Sequence, residues 1–191
     1  MSLCPRWSCG KERTLSAKRM GHVLETPRLR LRRIQETDFD ALCAFLRDPE
    51  VMYAWEHGFS EEDVRAFITR TMRRYREDGF AHFAAIEKAS ATLIGAIGPI
   101  VEVVEDVPYI GLGYILHKGY WGKGYALEGA AACMQYAFDV LGAEKVIAEI
   151  RPENLSSRKV AQKLGMTVER EFVKHYRTKD MPHLIYSKTK G

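Results

Sequence analysis

Tyr120-Trp121-Gly122-Lys123-Gly124-Tyr125-Ala126-Leu127-Glu128 is the stretch that decides the fold of this chain. It lies between a strand-like run, Tyr109 to Leu116, and a long amphipathic helix pattern, so its two glycines fall in a strand-to-helix turn. Such a turn points consecutive backbone N–H groups into one concavity at the positive end of the helix dipole, and glycine lets an anion approach the backbone closely. The stretch therefore predicts an anion site, and the pyrophosphate of a cofactor is the anion we expect there.

The spacing of the glycines excludes two familiar phosphate loops. A P-loop needs Gly-x-x-x-x-Gly-Lys followed by Ser or Thr, and the dinucleotide fingerprint needs a third glycine where Leu127 stands. Gly122-x-Gly124 also occurs two-thirds of the way along the chain. A bare Gly-x-Gly is more typical of an ordinary turn than of a ligand site, so its meaning depends on the elements around it.

Length and charge limit the classes of protein that fit. The chain has 191 residues and 46% hydrophobic content, which is enough for one globular domain with a substantial core. It contains no run of about 18 apolar residues, so we expect no membrane span. Residues 1–22 hold five basic residues and one acidic residue, and the other 24 basic and 24 acidic residues cancel. A neutral body with a basic tail does not predict a nucleic-acid-binding surface.

The first 22 residues are predicted to be a mobile basic extension or an alternative-start segment, followed by one domain over residues 23–191. They lack the apolar core of a secretory signal. Met20 is a candidate start, because the residues after it lead directly into the first structured element. Of the four cysteines, Cys4 and Cys9 lie in the tail, and no Cys-x-x-Cys pair occurs. We therefore expect a cytoplasmic protein without a disulfide framework or a metal site.

From Thr26 onward the chain alternates between strands and helices without internal repeats. Strict alternation over Arg28–Arg32 predicts a half-buried strand, and Ser60 followed by acidic residues predicts a helix that ends at Gly79. The other predicted elements are a helix from Thr37 to about Arg47, strands Phe80–Lys88, Leu93–Val104 and Tyr109–Leu116, a helix from the glycine turn to Gly142, strand Lys145–Ile150, a helix from Ser156 or Ser157 to Leu164, and strands Thr167–Lys174 and His183–Lys188. This mixed order predicts a single three-layer α/β or α+β domain.

Four motifs in this order resemble the Gcn5-related N-acetyltransferase (GNAT) superfamily, and more closely its branch of ribosomal-protein N-terminal acetyltransferases. They are Thr26-Pro-Arg-Leu-Arg-Leu-Arg32, Trp121-Gly-Lys-Gly-Tyr-Ala-Leu-Glu128, Asn154-Leu-Ser-Ser157-Arg and Lys163-Leu-Gly-Met166, and the resemblance covers roughly Thr26 to Ser187. It implies a mixed, mostly antiparallel sheet, splayed at the cofactor site, with helices on both faces. It also implies transfer of an acetyl group from acetyl-CoA to a primary amine, either a protein N-terminal α-amine or a small molecule, by a monomer or homodimer.

The resemblance also implies which residues hold acetyl-CoA. The family's loop pattern is Gln/Arg-x-x-Gly-x-Gly/Ala, and Trp121 takes its first position. The polar side chain of the family is therefore missing there, but the backbone N–H groups of the loop are unaffected. The implied contacts are Ile115 and Leu116 with the pantetheine arm, Gly122, Lys123, Gly124, Tyr125 and Ala126 with the pyrophosphate, and Asn154 and Ser157 on the other side. Lys123 could equally be a solvated loop lysine, and Asn154 or Ser157 could serve only as helix caps. Gly111 and Gly113 indicate either a close approach of the cofactor to the backbone or a β-bulge. Alternatively, they only weaken the strand and packing tolerates this.

The chain departs from the superfamily at its acid-base residues. Many members carry a carboxylate on the strand before the loop and a tyrosine four residues before the glycine of the last motif. Here Tyr109–Leu116 contains no carboxylate, and the tyrosine position is Ala161. The remaining candidates for a general base acting through water are Glu102, which we rank first because it lies on the neighbouring strand, and Glu105, Asp106 and His117. Ser157 is the candidate acid, unless no protein acid is needed.

Substrate choice is predicted to depend on two segments, residues 52–57 and 175–182. Tyr53, Trp55 and His57 could form the floor of an amine or peptide groove, or they could cap the core. The missing base and tyrosine also leave open a second class of function, a non-catalytic acyl-CoA-binding sensor or interaction module. Water-mediated deprotonation of an α-amine, whose pKa is about 7.7–8.0, would explain both absences and favours the enzyme.

Overall fold

The structure is a computed structural model, and it describes residues 22–176 and 179–191. Within these residues the chain forms strands β1 (His22–Glu25) and β2 (Leu29–Arg33), helices α1 (Phe39–Leu46) and α2 (Glu61–Glu77), strands β3 (Phe83–Glu87), β4 (Leu93–Val104) and β5 (Val107–Leu116), helix α3 (Tyr125–Asp139), strand β6 (Lys145–Ile150), helix α4 (Leu155–Lys163) and strands β7 (Thr167–Tyr176) and β8 (Lys179–Thr189). The predicted N-terminal extension, residues 1–22, lies outside the described residues except for His22. Among the described helices, none is long and apolar enough to cross a membrane.

One mixed sheet organises these elements, in the order β1-β2-β3-β4-β5-β6-β8-β7. Of the strand pairs in the described chain, β5 and β6 run parallel and the others run antiparallel. Helices α1 and α2 pack on one face and α3 packs on the other. The predicted α/β (α+β) domain, mostly antiparallel with helices on both faces, is confirmed.

Two hydrophobic cores lie on opposite faces of the central strands. Phe83 and Ile97 pack with α3, whereas their neighbours Ala84 and Ala96 pack with α1 and α2. This alternation follows from the two-residue period of a strand. Burying a side chain of the size of Phe or Ile stabilises the fold by roughly 1.5–3 kcal/mol. The two cores therefore fix which face of the sheet each side chain of β4 and β5 occupies.

The sheet opens between β5 and β6. The two strands pair at Ile110↔Val146 and Gly111↔Ile147 and then separate, while β5 continues to Leu116 along β4. The N–H group of His117 donates to the carbonyl of Ile94, on the β4 side, at 2.9 Å. Because successive N–H groups of a strand point to alternate edges, those of Leu112, Tyr114 and Leu116 point toward the opening. We call this opening the cleft.

Several element boundaries differ from the predictions. Helix α1 begins at Phe39 rather than Thr37, because residues 36–38 form a 3₁₀ turn before it. A capping box begins that turn, in which the Gln35 N–H donates to the Asp38 carboxylate at 2.9 Å. Strand β3 begins at Phe83 rather than Phe80. Helix α4 begins at Leu155 with Asn154 as its N-cap, so neither Ser156 nor Ser157 starts it.

Candidate active site

A cavity of about 590 Å³ occupies the cleft. The start of α3 and helix α4 line one end, and the turn at Tyr53–Trp55 with side chains from β7 and β8 lines the other. This volume is typical of small-molecule and cofactor sites. Of the predicted cofactor-binding residues, those that line the cavity are Ile115, Leu116, Gly122, Gly124, Tyr125, Ala126, Asn154 and Ser157, whereas Lys123 does not.

The glycine loop presents its backbone to the cavity. Gly122 and Gly124 have positive φ angles of 72° and 83°, in the left-handed region that suits glycine. Gly124 is the N-cap of α3, so no side chain caps the first N–H groups of this 15-residue helix. A Cβ atom at Gly122 would meet no other heavy atom within 4 Å, so the backbone there borders open space. This arrangement fits a pyrophosphate group.

Lys123 turns away from the cavity. Its Nζ lies 5.2 Å from the centroid of the Tyr120 ring. Its carbonyl accepts a hydrogen bond from Nη1 of Arg28 at 2.9 Å. Lys123 therefore contributes its backbone to the conformation of the loop, and its side chain packs on the ring of Tyr120, a residue that lines the cavity.

Arg28 ties the segment before β2 to the first turn of α3. Its Nε donates to Glu128 at 2.6 Å and its backbone N–H donates to the same carboxylate at 2.8 Å. The guanidinium also lies 4.3 Å from the centroid of the Tyr125 ring. Burial would raise the pKa of Glu128, but the hydrogen bonds from Thr26 and Arg28 outweigh it and hold the pKa below its usual value. The first two sequence motifs are thus in direct contact, a relation that the sequence alone did not indicate.

Arg28→Ala is expected to weaken CoA binding roughly 10-fold, because a hydrogen bond to a charged group contributes about 1.5–3 kcal/mol and the Lys123 carbonyl would lose its charged donor. The dissociation constant for CoA, measured by calorimetry, checks this. The matched control is Arg47→Ala, which removes an exposed ion pair with Glu61 at 3.1 Å and is expected to leave the constant unchanged. Equal affinity in the two variants would contradict the role of Arg28.

Asn154 and Ser157 lie across the cleft from β5. The Asn154 side chain accepts a hydrogen bond from the Ser157 N–H at 3.0 Å, and the Ser157 carbonyl accepts one from the Tyr114 hydroxyl at 3.0 Å. Burial raises the pKa of Tyr114, so its hydroxyl stays protonated. A tyrosine therefore lies beside the cleft, but on β5 and not at the family position, where Ala161 is buried in the core.

Glu102 lies at the other end of the cavity, beside Glu149 and Lys174. The Lys174 Nζ is 2.6 Å from Glu149 Oε2 and 3.5 Å from Glu102 Oε2. Burial raises the pKa of Glu102 to about 7, and the nearby Glu149 carboxylate adds to this, against the attraction of Lys174. A carboxyl group with this pKa can accept a proton at neutral pH. Sequence reasoning found Glu102 but not its two partners.

Gly111 and Gly113 make room for side chains in the cavity. A Cβ at Gly111 would lie 2.6 Å from Cγ of Glu102, and a Cβ at Gly113 would collide with the imidazole of His82. The β4–β5 register runs without interruption past both glycines, so the bulge considered from the sequence is absent. His82, which sequence reasoning missed, lines the cavity, and burial lowers its pKa to about 4, so it is neutral at physiological pH.

The other three candidate bases lie outside the cavity lining. Glu105 and Asp106 form the β4–β5 turn with positive φ angles of 49° and 65°, and Glu105 pairs with Arg170 at 2.9 Å. His117 Nδ1 accepts a hydrogen bond from the Gly119 N–H at 3.0 Å. Of the four candidates, the structure therefore brings Glu102 to the cavity. Within residues 22–176 and 179–191, no group of three His, Cys, Asp or Glu side chains could hold a metal ion.

The predicted acceptor residues are divided between the cavity and the protein behind it. Tyr53 and Trp55 line the cavity. His57 does not: its Nδ1 hydrogen-bonds with the Trp55 carbonyl at 2.7 Å, and its ring centroid lies 5.9 Å from that of Phe59. The neighbouring Glu56 pairs with Lys179 at 2.6 Å. The contact between Glu56 and Lys179 joins the turn at Tyr53–Trp55 to β8 at this end of the cavity.

Comparison with known proteins agrees with this site. Residues 28–167 match the family model described as an acetyltransferase (GNAT) domain. The chain is 33% identical to YnaD, an uncharacterized N-acetyltransferase of Bacillus subtilis, over 79% of this chain and 86% of that protein. A GNAT-family acetyltransferase from Bacillus anthracis has the same fold, with a TM-score of 0.74, 28% identity and coverage of 87% of this chain and 97% of that one.

The ribosomal-protein-S5-alanine acetyltransferase from Vibrio fischeri also shares the fold, with a TM-score of 0.70, 20% identity and coverage of 87% of this chain and 95% of that one. The glycine loop, the open edge of β5 and the size of the cavity all fit acetyl-CoA as the acyl donor. The family match covers most of the chain. The chain therefore belongs to the GNAT superfamily, and it is an acetyl-CoA-dependent N-acetyltransferase.

Proposed function

We propose that this enzyme acetylates the α-amine of a protein N-terminus or of a small molecule, with Glu102 as the general base. The observation that carries the proposal is the half-buried Glu102 carboxyl, with a pKa of about 7, in the cavity beside Glu149 and Lys174. Proton transfer to it costs about 1 kcal/mol from an α-amine of pKa about 7.8, but about 5 kcal/mol from a lysine side chain of pKa about 10.4. The carboxyl is therefore better matched to an α-amine.

Each part of the cleft then has one task. Bound acetyl-CoA supplies a thioester whose carbonyl carbon receives the amine nitrogen. The loop N–H groups at Gly122–Ala126 hold the pyrophosphate, and the open-edge N–H groups of Leu112, Tyr114 and Leu116 bind the pantetheine amides and polarise the carbonyl. Tyr53 and Trp55 enclose the acceptor, and the Ser157 hydroxyl donates a proton toward the departing sulfur.

Ser157→Ala is expected to lower kcat about 100-fold, at the lower end of the usual effect of a general acid, without changing the KM for acetyl-CoA. The fold should persist, because the cap at Asn154 uses the backbone N–H of Ser157 and not its hydroxyl. Steady-state thiol release measures both constants. Gln162→Ala, at an exposed residue of the same helix that does not line the cavity, is the control. An unchanged kcat in Ser157→Ala would contradict the acid assignment.

The experiment that tests the proposed function is thiol release from acetyl-CoA with a panel of acceptors. The panel contains small primary amines, peptides with free N-termini, and lysine peptides with blocked N-termini. Acceptor-dependent release with α-amines, and much slower release with lysine peptides, is the expected result. Preference for lysine peptides, or silence across the panel by a protein that binds CoA, would refute the proposed acceptor class.

A further inference from the structure

Glu149 is a second carboxyl group in the cavity, on β6, across the cleft from Glu102 on β4. Its side chain is 4% exposed, and its Oε2 accepts a hydrogen bond from Lys174 at 2.6 Å. In the described part of the chain its other oxygen, Oε1, is buried without a hydrogen-bond partner. An unsatisfied buried carboxylate oxygen is costly. The Glu102 carboxyl is close enough to donate a hydrogen bond to Glu149 when it is protonated, and a donor that enters the cavity can take the place of that proton.

The charges at this end of the cavity do not balance. Two carboxyl groups, Glu102 and Glu149, share one ammonium group, that of Lys174. If both carboxyl groups were ionised, one negative charge would be buried without compensation, which is strongly unfavourable. The ligand-free pair therefore retains one proton, in agreement with the raised pKa of Glu102. A ligand with one positive charge can replace that proton.

No neighbouring group supplies the missing charge among the described residues. Arg151 is already paired with Glu153 at 2.5 Å and Glu56 at 3.5 Å. Burial lowers the pKa of His183, which favours its neutral imidazole. The titratable groups around the two carboxyls are Tyr109 on β5, Arg151 after β6, Lys174 on β7, His183 on β8 and Glu56 of the turn.

We propose that Glu149 binds the ammonium group of the acceptor through its free oxygen, that Glu102 receives the proton which that ammonium gives up, and that Lys174 positions both carboxyl groups. This inference rests on the proposed function. The entering ammonium displaces the resident proton to solvent and then transfers one of its own protons to Glu102. The nitrogen lone pair forms the C–N bond as the C–S bond breaks. The sulfur takes a proton from the Ser157 hydroxyl, which regains one as the nitrogen loses its second proton. The products are the amide and the CoA thiol; the proton left on Glu102 restores the ligand-free state, and the net release is the one proton displaced when the ammonium bound.

Two variants with opposite charge effects test this, using the amine that the wild-type enzyme acetylates fastest. Glu149→Gln is expected to raise the acceptor KM about 10- to 100-fold, as for loss of a hydrogen bond to a charged group. It should also move the acid limb of kcat/KM to lower pH, because a negative neighbour of Glu102 is removed. Lys174→Met should move the same limb to higher pH, because a positive neighbour is removed. A structural defect would not move the limb in opposite directions.

Glu169→Gln is the matched control. Glu169 pairs with Lys145 at 2.9 Å on the same sheet but lies outside the cavity lining, so its loss should leave the acceptor KM and the pH profile unchanged. A wild-type acceptor KM in Glu149→Gln, or limbs that shift in the same direction in both variants, would overturn the inference.

An infrared titration of the ligand-free protein separates this inference from the proposed function, since it needs no acceptor. The stretching band of a protonated carboxyl group should disappear near pH 7 in the wild type and be missing in Glu102→Gln. Its absence from the wild type would refute the shared proton even if amines are acetylated. If the band is present but no amine is acetylated, the proposed function fails and the ammonium role of Glu149 fails with it.

Discussion

Glu102→Gln is expected to lower kcat by about 10²- to 10⁴-fold, the usual contribution of a general base, and to leave the dissociation constant for CoA unchanged. Gln keeps the shape of Glu but accepts no proton. The wild-type rate should rise as pH increases through about 7, because the deprotonated Glu102 carboxyl is the active form. That rise should be missing from the variant. Steady-state kinetics from pH 5.5 to about 9 and CoA calorimetry measure these quantities.

The same variant should be more stable than the wild type above neutral pH. The folded protein raises the pKa of Glu102 above the value of about 4.3 in an unfolded chain, so folding favours the protonated form. This contribution is complete below the unfolded pKa and is lost as pH rises through about 7. Gln stays neutral and avoids the loss, so the variant should melt at a higher temperature at pH 8.

Glu105→Gln is the control for the base. It removes a carboxylate from the β4–β5 turn that pairs with Arg170 at 2.9 Å, an exposed ion pair worth about 0–1 kcal/mol. We expect wild-type kcat and a wild-type pH profile. If Glu102→Gln behaves like Glu105→Gln, Glu102 is not the base.

Gly124→Val should reduce the affinity for CoA more than about 100-fold, because several hydrogen bonds to the phosphates would be lost, each worth about 1.5–3 kcal/mol. Gly124 has a φ of 83°, and a side chain in this left-handed region costs about 1–2 kcal/mol. The new Cβ would also lie 3.4 Å from Nη2 of Arg28, the residue that holds the Lys123 carbonyl. The loop would therefore shift, and its N–H groups would no longer point to one phosphate. Calorimetry with CoA checks this.

Gly79→Val is the control variant, because it introduces the same backbone strain as Gly124→Val at a position outside the CoA site. Gly79 has a φ of 85°, and a Cβ there would meet no heavy atom within 4 Å. Both variants should lose similar thermal stability, but Gly79→Val should bind CoA like the wild type. Equal CoA affinity in the two variants would show that the glycine loop does not hold the pyrophosphate.

Most of the fold could be predicted because its signals are local. The alternation in Arg28–Arg32 and the acidic first turn after Ser60 each lie within a few consecutive residues, and both elements formed as predicted. The first strand, His22–Glu25, was missed because a four-residue strand has too little pattern to stand out from a tail. The start of α1 was misplaced because residues 36–38 form a 3₁₀ turn before it, in which the Asp38 carboxylate accepts hydrogen bonds from Arg32 and from the Gln35 N–H rather than from the first turn of α1.

The two ends of the cavity differ in how far sequence could predict them. The glycine loop is one continuous stretch, so its phosphate-binding geometry follows from its own residues. Glu149 and Lys174 come from separate strands and meet Glu102 only in the assembled sheet. One signal was available: Glu149 is an acidic residue inside the apolar strand Lys145–Ile150, where a buried carboxylate needs a reason. A charged residue at a buried strand position was therefore the sequence signal for the proposed acceptor site.

The short parallel contact between β5 and β6 has a consequence for how the protein folds. Strands β1 to β5 are sequential antiparallel neighbours, whereas β6 reaches β5 only after the whole of α3 has crossed the sheet. Connections between distant residues close late, because the chain loses more entropy before such contacts form. Glu102 belongs to the early part of the chain and Glu149 to the late part. The cluster of Glu102, Glu149 and Lys174 is therefore completed when the last strands dock, so a chain that stalls before docking lacks the environment that gives the proposed base its raised pKa.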